Sequence, residues 1–184
     1  MPLIPLVLYV LLALFYLFFI FWLISMIISS LTQAPYVVSA SKAIDDALAL
    51  AKPQPGEKIF DLGCGDARVL IKATKKYNTL GFGYDISPFC VLKARLIIRF
   101  LGLNDKIKIF RVRLQKAKIE EADVIFLYLT NRILDQFETE IFKRIKPTCR
   151  VVNLAFPFKN HKPKQTIPAR QLGRNTNIYL YTKP

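Results

Sequence analysis

Between Met1 and Ser41 the chain carries no Asp, Glu, Lys or Arg, and Leu3 to Leu31 is an almost unbroken run of Leu, Ile, Phe, Val and Tyr. Such a run exceeds the roughly 20 apolar residues that cross a bilayer as a helix. It has to be set apart from whatever folds in water, which leaves, in a chain of 184 residues, material for one domain of ordinary size. A secretory signal peptide is the rival, since Val38-Ser39-Ala40 resembles a small-residue cleavage site. It fits poorly, because no basic segment precedes the run and the run is far longer than the roughly 7–15 apolar residues of a signal peptide. The sequence therefore divides into an N-terminal transmembrane anchor over 1–31, a connector over 32–41 and a folded domain over 42–184.

All 27 Lys and Arg residues follow Ser41. The positive-inside rule then places the domain on the cytoplasmic side of a single-pass membrane protein. The same asymmetry loads the domain with the whole formal charge of +14. A charge of this size holds a domain against anionic lipid headgroups or attracts an acidic partner. The basic residues are dispersed and form no single tract, which favours a solvated surface beside an anionic leaflet over nucleic-acid binding. Cys64, Cys90 and Cys149 are an odd, scattered set with no CxxC pair. This argues against a disulfide framework and a zinc site, and fits a reducing compartment.

Past the connector, where Pro35 biases Ala34 away from helix, Ser41 is expected to cap a helix over 42–51 that ends at Pro53-Gln54-Pro55-Gly56. The rest alternates as in a parallel α/β sheet. Strands are expected at 58–62, 80–84, 108–112, 124–129 and 150–156, and helices at 67–76, 88–101 and 133–146. The tail reads as a β-hairpin, 167–172 and 176–182 joined through Gly173-Arg174-Asn175. Open sheets of this class bind ligands at the carboxyl ends of their strands, so chemistry is expected in the loops after the first two.

The first of those loops turns through Asp61-Leu62-Gly63-Cys64-Gly65-Asp66-Ala67 into a helix. Glycine there permits a sharp bend and close approach of a ligand to the main chain. A dinucleotide fingerprint asks for a third glycine where Arg68 stands, and no Walker lysine follows, so neither a dinucleotide nor a P-loop reading fits. The distinguishing feature is Asp61, an acid ahead of the glycines. S-adenosylmethionine presents an ammonium, a sulfonium and a carboxylate. A carboxylate beside the turn suits the first two, and free N–H groups at the helix start suit the third. Asp85, at the tip of the second strand roughly 20 residues past the glycines, is placed to accept ribose hydroxyls. The cofactor set is therefore Asp61, Gly63, Gly65, Asp66 and Asp85. Asp66 also has the simpler role of complementing the helix dipole, and Arg68 that of pairing with Asp66 or another acid.

At these residues the chain resembles the class I S-adenosylmethionine-dependent methyltransferases, whose fold is a Rossmann-like, mostly parallel sheet closed by an antiparallel hairpin. More narrowly it resembles the protein-lysine methyltransferases that include the mitochondrial enzymes modifying ATP synthase subunit c and the adenine nucleotide translocase, and their archaeal relatives. The resemblance runs from about Pro35 to Tyr181. It rests on Pro35-Tyr36-Val37, on the glycine turn through Arg68, on Gly83-Tyr84-Asp85, on Leu127-Tyr128-Leu129-Thr130-Asn131, and on Ile145-Lys146-Pro147 followed by Arg150-Val151-Val152. It implies that Asp61, Gly63 and Gly65 hold the methionine end and Asp85 the ribose. It also implies that Tyr36 and Thr130 line the methyl-transfer channel and that the partner is a protein bearing the acceptor lysine. The chain departs from the family pattern at Val38, where proline is usual, at Ala67, often glycine, and at Arg113-Leu114, where an acid or amide usually meets the adenine amino group.

The chemistry implied is in-line transfer of a sulfonium methyl to a neutral lysine amine, which needs alignment and desolvation more than a dedicated base. His161, the only histidine, is read as a solvated loop residue in preference to a general base. Two alternatives stand beside the lysine reading. One is a methyltransferase for a membrane-borne quinone or lipid, and the other a non-catalytic basic adaptor for RNA or acidic lipid.

Overall fold

The computed structural model describes residues 3–31, 39–171 and 173–183. Tyr36 and most of the connector lie outside the described residues. Helix α1 (Leu3–Leu31) stands out from the domain, with its apolar side chains exposed along most of its length. The folded part then runs α2 (Ser41–Ala51), β1 (Lys58–Leu62), α3 (Arg68–Tyr77), β2 (Leu80–Asp85), α4 (Pro88–Phe100), β3 (Ile107–Arg111), a single 3-10 turn at Leu114–Lys116, β4 (Val124–Leu127), α5 (Asn131–Arg144), β5 (Arg150–Leu154), β6 (Gln165–Gln171) and β7 (Arg174–Thr182).

Seven strands form one sheet in the order β3-β2-β1-β4-β5-β7-β6, parallel except for β7, which runs antiparallel to both β5 and β6. The chain begins in the middle at β1, winds outward to β3, and returns to β4 on the other side of β1. The carboxyl ends of β1 and β4 thus flank the point where the winding reverses, the place where open α/β sheets leave a crevice. The expected Rossmann-like α/β class, with its terminal hairpin, is the architecture observed.

Two apolar layers hold the sheet. On one face Ala43, Ile44, Ala47, Leu48 and Ala51 of α2 join Val69, Leu70 and Ala73 of α3 and Val91, Ala94 and Ile98 of α4. On the other, Ile133, Leu134, Phe137, Ile141 and Phe142 of α5 pack over Phe60, Leu62, Ile125, Leu127 and Val151. The α2 stripe follows helical spacing. The C-terminal end of α2 is closed by Arg150, whose Nη1 donates to the carbonyls of Ala51 at 2.7 Å and Lys52 at 2.9 Å. A cation there complements the helix dipole as well as the orphan carbonyls.

Two expectations need correction. Ser41 does not cap α2: Ala40 is the capping residue, and Ser41 is already helical, its hydroxyl accepting from Lys72 Nζ at 2.7 Å. His161 is not a solvated loop residue. Its ring stacks on Phe142, with centroids 3.7 Å apart and 12° between planes, and its Nδ1 lies 2.7 Å from Glu138 Oε1. Glu138 is completely buried and also accepts from the backbone N–H groups of Lys159 and Asn160 and from Asn160 Nδ2. One carboxylate on α5 therefore ties down the loop that leads from β5 to the hairpin.

Burial pushes the Glu138 carboxyl up, but the hydrogen bonds from His161, Asn160 and Lys159 outweigh it and hold the group below the ordinary glutamate range. A depressed folded-state value means stabilisation that is present above the unfolded value and lost as pH falls through the folded one. Glu138→Gln is expected to cost about 1.5–3 kcal/mol near neutrality, the scale of hydrogen bonds to a charged group. The deficit relative to the parent shrinks on acidification, and denaturant titrations at a series of pH values measure it.

Candidate active site

The site is built at the carboxyl end of β1. Phe60 and Leu62 pack beneath α5, so the strand's alternation turns Asp61 to the opposite face, beside the turn into α3. Gly63 and Gly65 take φ values of +93° and +52°, and Ala67, at the start of α3, takes +61°. Left-handed backbone of this kind is free for glycine and costs an alanine about 1–2 kcal/mol. The turn is held to β2 by main chain: the N–H groups of Gly63 and Cys64 both donate to the Tyr84 carbonyl, at 2.8 and 3.1 Å.

Gly83 makes this approach possible. A Cβ at Gly83 would lie 2.8 Å from Cys64 Sγ and 2.6 Å from Ile109 Cδ1, closer than packed atoms allow. The absent side chain lets the turn lie directly on β2, which brings Asp85 across from it. Asp85 Oδ2 accepts the Gly65 N–H at 2.9 Å, and Oδ1 accepts the Ser87 N–H at 2.8 Å. Each oxygen keeps a lone pair for a further donor. Burial raises the Asp85 carboxyl above its ordinary value, and the backbone bonds oppose this.

Asp61 is 3% exposed. Among the described residues it has neither a hydrogen bond nor an ion pair. Burial, and then the nearby charges of Asp85 and Asp66, push its carboxyl well above the ordinary range. A buried acid without a partner destabilises a fold unless something cationic arrives to meet it. Cys64, buried in the same turn, is driven upward by burial and by Asp61 and Asp85, so its thiol stays protonated.

Asp66 is held differently. Arg68 meets it with both Nε and Nη2, at 2.8 and 2.6 Å, and Lys93 Nζ approaches at 3.8 Å. Arg68 also donates to the Ser39 carbonyl at 3.2 Å, joining the turn to the end of the connector. Thr130, half-buried, is the residue preceding α5, and its carbonyl accepts from the N–H groups of Ile133 and Leu134. It lies on the same rim as the glycine turn: a Cβ at Gly63 would meet neighbouring Leu129 at 3.1 Å. Arg113 is exposed after β3, ahead of the 3-10 turn. Of the residues singled out from sequence, Asp61, Gly63, Gly65, Asp66, Asp85 and Thr130 share one rim, and Tyr36 is outside the described residues.

Sequence reasoning missed Ser87 and Ser25. Ser87 caps α4 through the Cys90 N–H at 3.3 Å, and its hydroxyl lies 2.7 Å from that of Ser25 on α1. Ser25 Oγ in turn accepts the Phe89 N–H at 3.2 Å. The signal for Ser87 was a Ser-Pro pair opening a helix. Ser25 carried only the faint signal of a polar residue within an apolar run.

Residues 61–165 match the ANTKMT methyltransferase domain family. A protein-lysine N-methyltransferase of Saccharolobus islandicus is 28% identical over 155 residues, 84% of this chain and 96% of that protein. The adenine nucleotide translocase lysine N-methyltransferase of Mus musculus is 28% identical over 131 residues, 71% of this chain and 57% of that longer protein. The crystal structure of an RNA methyltransferase from Salinibacter ruber in complex with S-adenosyl-L-homocysteine superposes with a TM-score of 0.75 at 29% identity, over 80% of this chain and 94% of that one.

An acid with a raised folded-state value makes the ligand-free fold less stable as pH rises from the unfolded value toward the folded one. Asp61→Asn is therefore expected to raise the thermal stability of the ligand-free protein, by about 1–3 kcal/mol near neutrality. The gain should fade below the ordinary carboxylate range. Thermal unfolding of both proteins across pH checks the sign.

Proposed function

Because the chain belongs to the ANTKMT methyltransferase domain family, whose cofactor is S-adenosylmethionine, we propose that it is a membrane-anchored protein-lysine N-methyltransferase. The observation that carries the site assignment is Asp61, a buried carboxylate without a partner beside a glycine turn. The lysine acceptor is supported by relatives named for that activity, one of which this chain matches over 96% of its length.

When bound, S-adenosylmethionine would supply an activated methyl group on a sulfonium for displacement by the lone pair of a neutral lysine amine, the C–S bonding pair leaving to sulfur and the amine's extra proton going to water. The chain's own residues do the holding. Asp61 would offer its charge to the cationic methionine end, the turn leaves Gly63 exposed to close approach while the Gly65 N–H holds Asp85, and the remaining lone pairs of Asp85 would accept ribose hydroxyls. Asp66, through its pairing with Arg68 and Lys93, braces the turn and would meet the ligand only at its edge. Thr130, at the start of α5 on the same rim, would border the amine's path. Excluding water there favours the neutral amine, since desolvation lowers a lysine's affinity for its proton. Arg113 stands where the family pattern has an acid or amide and has no acceptor to offer, so the adenine amino group would have to be held by backbone carbonyls.

Helix α1 serves as the anchor. Its length and composition suffice for one crossing, with the segment Leu3–Ile27 free of charge, and the basic domain lies on the cytoplasmic side against anionic headgroups.

RNA is the second reading, favoured by the net charge of +14 and by the Salinibacter relative named as an RNA methyltransferase. Incubating the full chain with membranes, cell RNA and S-adenosylmethionine labelled in the methyl group separates the possibilities. Label released by protease and recovered on lysine is expected; label released by ribonuclease, or extracted into organic solvent, overturns the lysine reading. Asp85→Asn is expected to weaken S-adenosylmethionine binding by about 10- to 100-fold in calorimetry, the scale of losing a charged acceptor.

A further inference from the structure

Outside α1, the large apolar side chains that are exposed among the described residues are Leu92 (47%), Leu96 (59%), Phe100 (91%) and Phe110 (39%). Three of these lie on α4, at a spacing that puts them with Phe89 on one face of the helix. Arg95 and Arg99 are exposed along one flank. Arg95 is splinted there by two hydrogen bonds to the Ile109 carbonyl, at 3.3 and 2.7 Å. An apolar stripe edged by arginines is the pattern of a helix lying in a bilayer interface, with rings among the acyl chains and guanidinium groups among the headgroups.

The contacts with α1 give this face a direction. Ser25 supplies an acceptor for the first turn of α4, while the Phe89 ring packs edge-on against Phe18, with centroids 6.3 Å apart. Phe18 lies two turns nearer the N-terminus than Ser25, about 10 Å along the helix axis. Phe89 therefore points down α1 toward its fully exposed apolar part. If the span is counted from Leu3, about 30 Å of helix ends near Trp22, the residue type that favours the headgroup level, and Ser25 falls just beyond it. The start of α4 is then held at the boundary, and Leu92, Leu96 and Phe100 extend the face that Phe89 begins.

We propose that this face of α4, formed by Phe89, Leu92, Leu96 and Phe100 and flanked by Arg95 and Arg99, docks on an anionic phospholipid bilayer as a second contact beside α1. The inference rests on reading α1 as an anchor. A single spanning helix leaves the domain free to rotate about the helix axis. A second contact along α4 removes that freedom and holds the rim carrying Ser87 and Asp85 in a constant orientation to the membrane surface.

The test uses the full chain in vesicles of phosphatidylcholine with phosphatidylglycerol. The native cysteines are all buried, so an environment-sensitive fluorophore can be attached at Phe100→Cys, or at Thr139→Cys on α5 across the sheet as a control. Nitroxide-bearing lipids are expected to quench the label at 100 by about twofold or more while leaving that at 139 unaffected, as burial in the acyl region requires. Adding Leu96→Glu should remove the quenching at 100 without releasing the chain from the vesicles. A chain that alkaline carbonate strips from vesicles overturns the anchor and this surface with it. A chain that stays embedded while position 100 is quenched no more than 139 overturns the surface alone. Disulfide cross-linking between two copies through position 100, without lipid quenching, assigns the face to a second copy and also overturns the proposal.

Discussion

The contact between the Cys64 turn and Gly83 is the constraint from which the rest of the site follows. With no side chain at Gly83, the loop after β1 lies against β2, its amides bond to the Tyr84 carbonyl, and Asp85 reaches the Gly65 N–H. Three acids, Asp61, Asp66 and Asp85, are thereby gathered at the strand ends of a protein that is otherwise strongly basic. Any side chain at Gly83 would lift the turn off the sheet and separate them.

These acids are not equivalent. Asp66 is neutralised by Arg68 and Lys93, and Asp85 is partly satisfied by two backbone N–H groups. Asp61 has neither kind of compensation and is the most deeply buried of the three. The ligand-free protein thus carries an electrostatic penalty at this turn, which a cationic group placed beside Asp61 would relieve. The cost is tolerable because firmly satisfied groups lie elsewhere, notably Glu138 with its four donors and Arg150 at the end of α2. Local destabilisation at a site, supported by a well-bonded scaffold, is the common arrangement in binding proteins.

The junction of α1 with α4 ties the apolar helix to this arrangement. Ser25 and Ser87 together satisfy N–H groups in the first turn of α4, and the Ser87 N–H also holds Asp85. A polar residue inside an otherwise apolar helix is costly in lipid unless it has a partner. Placed in the last two turns of α1 and bonded to Ser87 and Phe89, it becomes a fixed joint between the two parts.

Much of this was legible in the sequence. The alternating elements, the uncharged first 41 residues and the acid–glycine–acid pattern of Asp61, Gly63, Gly65 and Asp85 are properties of local order. Periodicity and turn chemistry depend on neighbours along the chain, so fold class and cofactor class could be read from them. Boundaries slipped by a residue or two at β3 and α5, where capping depends on hydrogen bonds that spacing does not specify. Ser41 and His161 were misjudged for a related reason, since their partners Lys72, Glu138 and Phe142 are remote in sequence. The sequence by itself determined which residues are acids and where glycine relaxes the backbone. Only the tertiary structure decided which acid would be left without a partner, and that the exposed stripe of α4 would begin beside α1, because burial and pairing are set by contacts between segments far apart in the chain.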